Sequence, residues 1–167
     1  MDIIARMPLK SELTVAAVVE VTGRFLVVEE RIKGRNVLNQ PAGHVEEGET
    51  LLEAVAREAC EETAWHFTPQ ALIGMYLWRY PGSARATLRF AFMGSVCDHD
   101  ARRPLDHGIL GTHWLDRSQI IERGPQLRSP LVLRCIDDYL AGKRLPLDAV
   151  AWLDSSAPFE AAAAARL

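Results

Sequence analysis

Three glutamates, Glu58, Glu61 and Glu62, lie close together in a segment rich in good helix formers. Positions three and four residues apart return to the same side of an α-helix, so Glu61 and Glu62 both lie on the side of Glu58. Carboxylates held this close repel one another unless a positive charge lies between them. Because the donors are all hard oxygens, the cluster is suited to Mg²⁺, with Mn²⁺ as a substitute, rather than to zinc.

Arg57 is the basic residue best placed to support these acids. It lies four residues after Glu53 and four before Glu61, so ion pairs along the helix can fix the orientation of the carboxylates. The alternative is an ordinary solvated helix face with several salt bridges, which is common in proteins.

The residues around this cluster follow a longer pattern, which resembles the Nudix box, G-x5-E-x7-R-E-U-x-E-E-x-G-U, where U is apolar. Its fixed positions are filled by Gly43, Glu49, Arg57, Glu58, Ala59, Glu61, Glu62 and Trp65. The chain departs from the pattern at the second glycine, where Ala64 stands. If that position needs a left-handed backbone, alanine costs about 1 kcal/mol relative to glycine, which affects the loop rather than the metal ligands.

The resemblance implies an α/β Nudix fold, a mixed β-sheet sandwiched between α-helices, and a magnesium-dependent hydrolase of phosphoanhydride bonds. By position in the box, the implied metal ligands are Glu58, Glu61, Glu62, the backbone carbonyl of Gly43, and Glu49. Glu58 is also expected to orient or deprotonate the attacking water. An acid in a later loop, Asp106, is the alternative for that role.

A later predicted hairpin carries candidates for substrate binding. Arg79, Arg85 and Arg89 lie on or near it and are candidate phosphate contacts, although each has the alternative of being an ordinary surface arginine. Trp78 and Tyr80 alternate along a strand, so both can face one side and stack on a base ring. Packing in the core or at its rim is the alternative for this pair.

Segments outside the box resemble the NudJ-type phosphatase branch of the family, notably residues 39–44, 88–90 and 127–132. That branch implies small phosphorylated substrates, namely nucleoside di- and triphosphates or thiamine-type pyrophosphates, with release of orthophosphate. Two alternatives remain: a non-catalytic Nudix-like domain that senses a nucleotide, and an RNA 5′-end pyrophosphohydrolase.

Composition narrows the setting. The 167 residues, 49% of them hydrophobic, fit one domain over residues 1–154 followed by an alanine-rich tail at 155–167. A net charge of −3 argues against a nucleic-acid partner. The three cysteines are too scattered for a zinc site or a disulfide framework, which favours a cytoplasmic setting. No apolar stretch predicts a signal peptide or a membrane span, and both a monomer and a homodimer remain open.

The elements that must position these residues alternate between strands and helices. Hairpins are predicted over residues 13–28 and 72–96, the glutamate-bearing helix over 50–63, and a short strand at 112–115. Asp116 and Gln119 resemble a capping box that opens a helix through Glu122. Ser129-Pro130 is expected to open a final helix that Gly142 ends.

Overall fold

The computed structural model describes residues 9–153 of the chain. The alanine-rich tail predicted at residues 155–167 lies outside this range. The described strands are β1 (Lys10–Val18), β2 (Glu20–Val21), β3 (Arg24–Ile32), β4 (Arg35–Asn39), β5 (Ala42–His44), β6 (His66–Arg79), β7 (Arg85–Cys97) and β8 (Ile109–Leu115). The helices are α1 (Leu51–Thr63), α2 (Arg117–Glu122) and α3 (Leu131–Leu140).

The strands form two four-stranded sheets. The first sheet has the order β5-β1-β7-β6 and is mixed, because β1 runs parallel to β7 whereas the pairs β1–β5 and β6–β7 are antiparallel. In the second sheet β3 lies between β4 and β8, and β2 pairs with the first residues of β3; all the pairs of this sheet are antiparallel. The expected α/β architecture is confirmed, with the strands divided over two sheets.

The helices α1 and α3 cover opposite faces of the sheets. Alternate residues of β1 point to different cores, since Val15 and Ala17 pack with α1 whereas Val18 packs with α3. The β7 strand behaves in the same way, with Phe92 in the first core and Ala91 in the second. Because these two strands are buried on both faces, their sequences are nearly continuous runs of apolar residues.

The first predicted hairpin is correct only at its tip. Glu20–Val21 pairs with the start of β3, whereas β1 lies in the other sheet between β5 and β7. The chain changes sheets at the buried Val19. A strand buried on both faces looks the same whichever sheet it joins, so its apolar pattern could not identify its partner.

The second predicted hairpin is confirmed, but β6 begins six residues earlier than expected, at His66. The strand accommodates Pro69 at a shift of register between Pro69 and Ala71, as prolines within sheets commonly do. The capping box at Asp116 and the helix after Ser129-Pro130 are also confirmed. None of the helices in the described residues is long and apolar enough to cross a membrane.

Candidate active site

The helix α1 begins and ends in the way its sequence requires. Thr50 caps its N-terminus, and Glu53 closes the capping box by accepting hydrogen bonds from the Thr50 backbone N–H and hydroxyl, each at 2.8 Å. Glu53 therefore caps the helix, and the ion pair with Arg57 that the spacing predicted is absent from the described contacts. At the other end, Ala64 adopts φ 58° and ψ 17°, the left-handed conformation expected of the missing glycine.

Arg57 is the centre of an ion-pair network. Its Nε and Nη2 donate to the two oxygens of Glu49 at 3.0 and 2.7 Å, and Nη2 also donates to the carbonyl oxygen of His44 at 2.9 Å. Its Nη1 donates to Glu58 Oε1 at 2.9 Å and to Glu61 Oε2 at 3.0 Å. These hydrogen bonds, with that to Glu49 first, raise the pKa of Arg57 above its ordinary value. The guanidinium fork thus fixes three carboxylates and the β5 backbone together.

Glu58 and Glu62 reach the strand β5 beside α1. A Cβ atom built at Gly43 would overlap the carboxylate carbon and both oxygens of Glu58. Only glycine at this position leaves room for that side chain against the backbone. Glu62 Oε2 accepts a hydrogen bond from the Ala42 backbone N–H at 2.8 Å. The box therefore works as a unit, in which the loop glycine makes space for a helix carboxylate.

Burial dominates the protonation of these acids. Desolvation raises the pKa of Glu62 to about 8, and the charges of Glu58, Glu30 and Asp106 act in the same direction. Desolvation likewise raises the pKa of Glu58, against the opposing effect of Arg57. Four carboxylates thus share one region, and the basic side chains of the protein do not fully compensate their charge.

These acids open into a cavity of ≈ 610 Å³. Its acidic wall consists of Glu12, Glu30, Glu46, Glu58, Glu62 and Asp106. Its remaining polar and aromatic lining includes Lys33, Asn39, Trp78, Tyr80, Arg85, Thr87, Arg89, Arg128 and Ser129. A volume in this range suits a small-molecule ligand.

The structure brings most of the predicted substrate contacts to this cavity. Trp78 and Tyr80 both line it, with ring centroids 4.5 Å apart and an interplanar angle of 59°. Arg85 also lines it, with its guanidinium paired to Glu12, and Arg89 lies in its buried wall. Arg79 is the exception, because alternation along β6 places it, exposed, on the opposite side from its two aromatic neighbours.

The two other predicted acids have different environments. Asp106 lines the cavity from an exposed loop, and its backbone N–H donates to the carbonyl oxygen of Glu61 at 2.9 Å, which ties the loop to α1. Glu49 contacts Arg57 with both oxygens and also accepts from the Glu46 backbone N–H at 2.7 Å. Its position makes it a support for Arg57.

Sequence reasoning missed Glu30 and Arg128. Both line the cavity, and Arg128 Nε lies 3.6 Å from Glu30 Oε1, an oxygen that is buried without a hydrogen-bond partner. Glu30 shares a face of β3 with the buried Val28. A charged residue at a position that alternates with buried ones could therefore have indicated a functional role for Glu30. Arg128 lies three residues before the first residue of α3, and its side chain gave no comparable signal.

The carboxylates do not all converge as the helix spacing predicted. Within residues 9–153, no three Asp, Glu, His or Cys side chains are arranged so that they could hold a metal ion as they stand. Glu58 and Glu61 converge on Arg57, whereas Glu62 turns to Ala42. The donor set nevertheless fits a divalent cation, since it consists of hard oxygens and includes a buried carboxylate whose charge lacks a basic partner.

Comparisons with known proteins identify the family of the chain. A family model described as the NUDIX domain matches residues 10–135. The chain is 43% identical over 141 residues to phosphatase NudJ of Escherichia coli strain K12, covering 84% of this chain and 91% of that protein. A solved NUDIX hydrolase from Nitrosomonas europaea superposes with a TM-score of 0.85 at 44% identity, covering 88% of this chain and all of that one. The NUDIX domain of Shewanella oneidensis NrtR, solved with ADP ribose, has a TM-score of 0.64 at 15% identity over 85% of this chain and 93% of that one, and shows the fold alone.

Proposed function

Because the chain belongs to the Nudix family and is a hydrolase acting on acid anhydrides, we propose that it uses a divalent cation, Mg²⁺ or Mn²⁺, to cleave small phosphorylated substrates. The observation that carries this proposal is the pair Glu58 and Glu62, two carboxylates packed against β5 at the wall of a large polar cavity. Their raised pKa values indicate a site that gains stability from an added positive charge.

Glu58, Glu62 and the carbonyl oxygen of Gly43 are the proposed inner ligands, and Glu61 and Glu49 complete the acidic set. When bound, the cation supplies charge neutralisation at the phosphoryl oxygens and lowers the pKa of a coordinated water. Glu58 would offer its Oε2 to the cation while Arg57 keeps its Oε1, whereas Glu61 would leave its contact with Arg57 by a change of side-chain rotamer. Arg57 then keeps its hydrogen bonds to the carboxylates that stay in place.

Glu58 is the proposed residue that orients or deprotonates the attacking water. Burial raises the pKa of its carboxyl, which makes the carboxylate a stronger base than one in water. Arg57 fixes its Oε1, and the absent side chain of Gly43 leaves room for its Oε2. Asp106 is the alternative base, since it lines the same cavity from a loop tied to α1.

The proposed substrates are nucleoside di- and triphosphates or thiamine-type pyrophosphates, with orthophosphate as the main product. The support is the 43% identity to phosphatase NudJ together with the aromatic pair Trp78 and Tyr80 in the cavity wall, which can stack on a pyrimidine or purine. Arg85 and Arg89 are the proposed contacts to the phosphates. A reducing, cytoplasmic setting is part of the proposal, supported by the three free cysteines.

A substrate panel tests this function. In the presence of Mg²⁺, the protein is incubated with one substrate at a time. The substrates are thiamine pyrophosphate, nucleoside di- and triphosphates, a dinucleoside polyphosphate, ADP-ribose and a triphosphorylated RNA. Orthophosphate and pyrophosphate are measured separately, because their ratio identifies the bond that breaks. We expect orthophosphate from the small substrates, loss of release in EDTA, and recovery with Mg²⁺ or Mn²⁺.

The same panel separates the alternatives. A protein that binds nucleotides but releases no phosphate would be a sensor, and preferred turnover of RNA would make it a 5′-end pyrophosphohydrolase. Replacing Glu62 by Gln should reduce turnover by roughly a hundredfold or more, because it removes a carboxylate ligand from the cation. Glu122→Gln on the exposed face of α2 is the matched control and should leave turnover unchanged.

A further inference from the structure

Arg89 carries a buried positive charge without an adequate partner. Its residue exposure is 7%, and its Nε has no hydrogen-bond partner. Its Nη1 makes only long contacts, at 3.4 Å to Asn39 Oδ1 and 3.5 Å to Gln40 Oε1. Among the described residues, no carboxylate forms an ion pair with it. Removing a guanidinium from water without an anionic partner is costly, so the position indicates a function rather than a contribution to stability.

The N-terminus of α3 meets the same cavity. Ser129 and Leu131 line it, and α3 has ten residues, so its first turn presents the positive end of a helix dipole. Arg128 adds a second guanidinium at this wall. Burial lowers the pKa of Arg89, and the nearby charge of Arg128 acts in the same direction. Two arginines and a helix N-terminus are therefore gathered around one part of the cavity.

Among the described residues, Glu30 is the one carboxylate paired with Arg128, so the two guanidinium groups outnumber it. Arg128 Nε lies 3.6 Å from Glu30 Oε1, beyond hydrogen-bonding distance. An anion that draws Arg128 away from Glu30 therefore breaks no direct hydrogen bond between them. The arginines also differ in exposure, since the side chain of Arg128 is 37% exposed and can adjust its position whereas Arg89 is buried.

We propose that Arg89, Arg128 and the N-terminus of α3 form an oxyanion subsite that binds a phosphoryl group of the substrate without the help of a divalent cation. This subsite is separate from the carboxylates Glu58 and Glu62. The identity of the anion as a substrate phosphate rests on the proposed function. The charge excess and the unpartnered guanidinium do not depend on it.

The subsite predicts opposite effects of one substitution on binding and on stability. Methionine has a volume close to that of the arginine stem and carries no charge. Arg89→Met should therefore give a melting temperature equal to or above that of the wild type in phosphate-free buffer, because a buried unpaired charge is removed. The same variant should bind the anion more weakly. An arginine that only supports the fold would show the reverse pattern.

The test uses inorganic pyrophosphate and the full chain in EDTA, so that neither a cation nor turnover contributes. Binding is measured by titration calorimetry and by the shift of the melting temperature. We expect saturable binding by the wild type. Arg89→Met and Arg128→Met should each weaken it by about tenfold to a hundredfold, the range expected for losing a hydrogen bond to a charged group. Arg117→Met, which removes an exposed arginine outside the cavity, is the control and should change the dissociation constant by less than about twofold.

Absence of pyrophosphate binding by the wild type, or unchanged binding by both variants, overturns the subsite. If Arg89→Met does not fold, Arg128→Met decides the matter, and Arg89→Lys shows whether charge alone suffices. The proposed function can fail without the subsite. If the wild type hydrolyses no substrate in Mg²⁺ but both variants lose pyrophosphate binding, the subsite is supported and the proposed enzymatic function is wrong.

Discussion

Gly43→Ala should inactivate the enzyme without unfolding it. The backbone of Gly43 is not in the left-handed region, so alanine can adopt its conformation without strain. The added Cβ would, however, overlap the whole carboxylate group of Glu58. That carboxylate must move by more than about 1 Å to restore an ordinary contact distance. A displacement of this size at a reacting group costs about a hundredfold in rate.

The effect on stability should be small, because two contributions offset each other. Displacing Glu58 weakens its hydrogen bond to Arg57, a loss of about 1 kcal/mol. Replacing glycine by alanine restricts the unfolded chain and returns about 0.4–1 kcal/mol. We therefore expect the free energy of unfolding to remain within about 1 kcal/mol of the wild type.

The assay measures kcat/KM for phosphate release together with the melting temperature. Gly111→Ala is a matched control, since a Cβ at that glycine meets no atom within 4 Å. It should keep full activity. If folded Gly43→Ala protein retains activity within about threefold of the wild type, the position of Glu58 does not limit the reaction.

Three further outcomes are expected. Burial raises the pKa of Glu62 to about 8 from 4.5, so the folded state binds the proton more tightly than the unfolded state. In EDTA, the stability gained from this proton should be greatest below pH 4.5 and be lost as the pH rises through about 8. Thermal melts of Glu62→Gln should lack this part of the fall in melting temperature with pH. Arg57→Lys should lower kcat about tenfold to a hundredfold with little change in KM, measured by steady-state kinetics, because lysine cannot reproduce the paired contact with Glu49. Ala64→Gly should change the free energy of unfolding by less than about 1 kcal/mol in denaturant titrations, because relief of the left-handed backbone offsets the loss of a buried methyl group.

The chemistry of the site was easier to predict from the sequence than the pairing of the strands. The spacing of Glu58 and Glu61, which meet at Arg57, and the capping residue Thr50 are local features that a helix converts directly into geometry, whereas Glu62 turns away to the Ala42 backbone. The left-handed conformation of Ala64 followed from its place after the helix end. By contrast, the position of β1 between β5 and β7 depends on contacts far apart in the chain. Local patterns do not encode such partners.

The walls of the cavity show the same limit. Glu30, Arg89 and Arg128 come from three distant segments, and only the fold reveals that they line one cavity. The sequence identified Arg89 as a candidate but gave no indication that it is buried without an anionic partner. Arg57 also differs from the prediction, because its strongest contacts are with Glu49 in the preceding loop rather than with Glu53 on its own helix.

In the proposed mechanism, the carboxylates of α1 hold a divalent cation against β5. Crystals soaked in Mn²⁺ test it directly, because the anomalous signal of manganese locates the ion independently of any assignment of density. We predict one strong peak contacted by oxygens of Glu58 and Glu62 and by the Gly43 carbonyl oxygen, at about 2.0–2.2 Å. A saturating soak that leaves these oxygens without a peak, or places the ion elsewhere in the chain, would show that the carboxylates of α1 do not form the cation site.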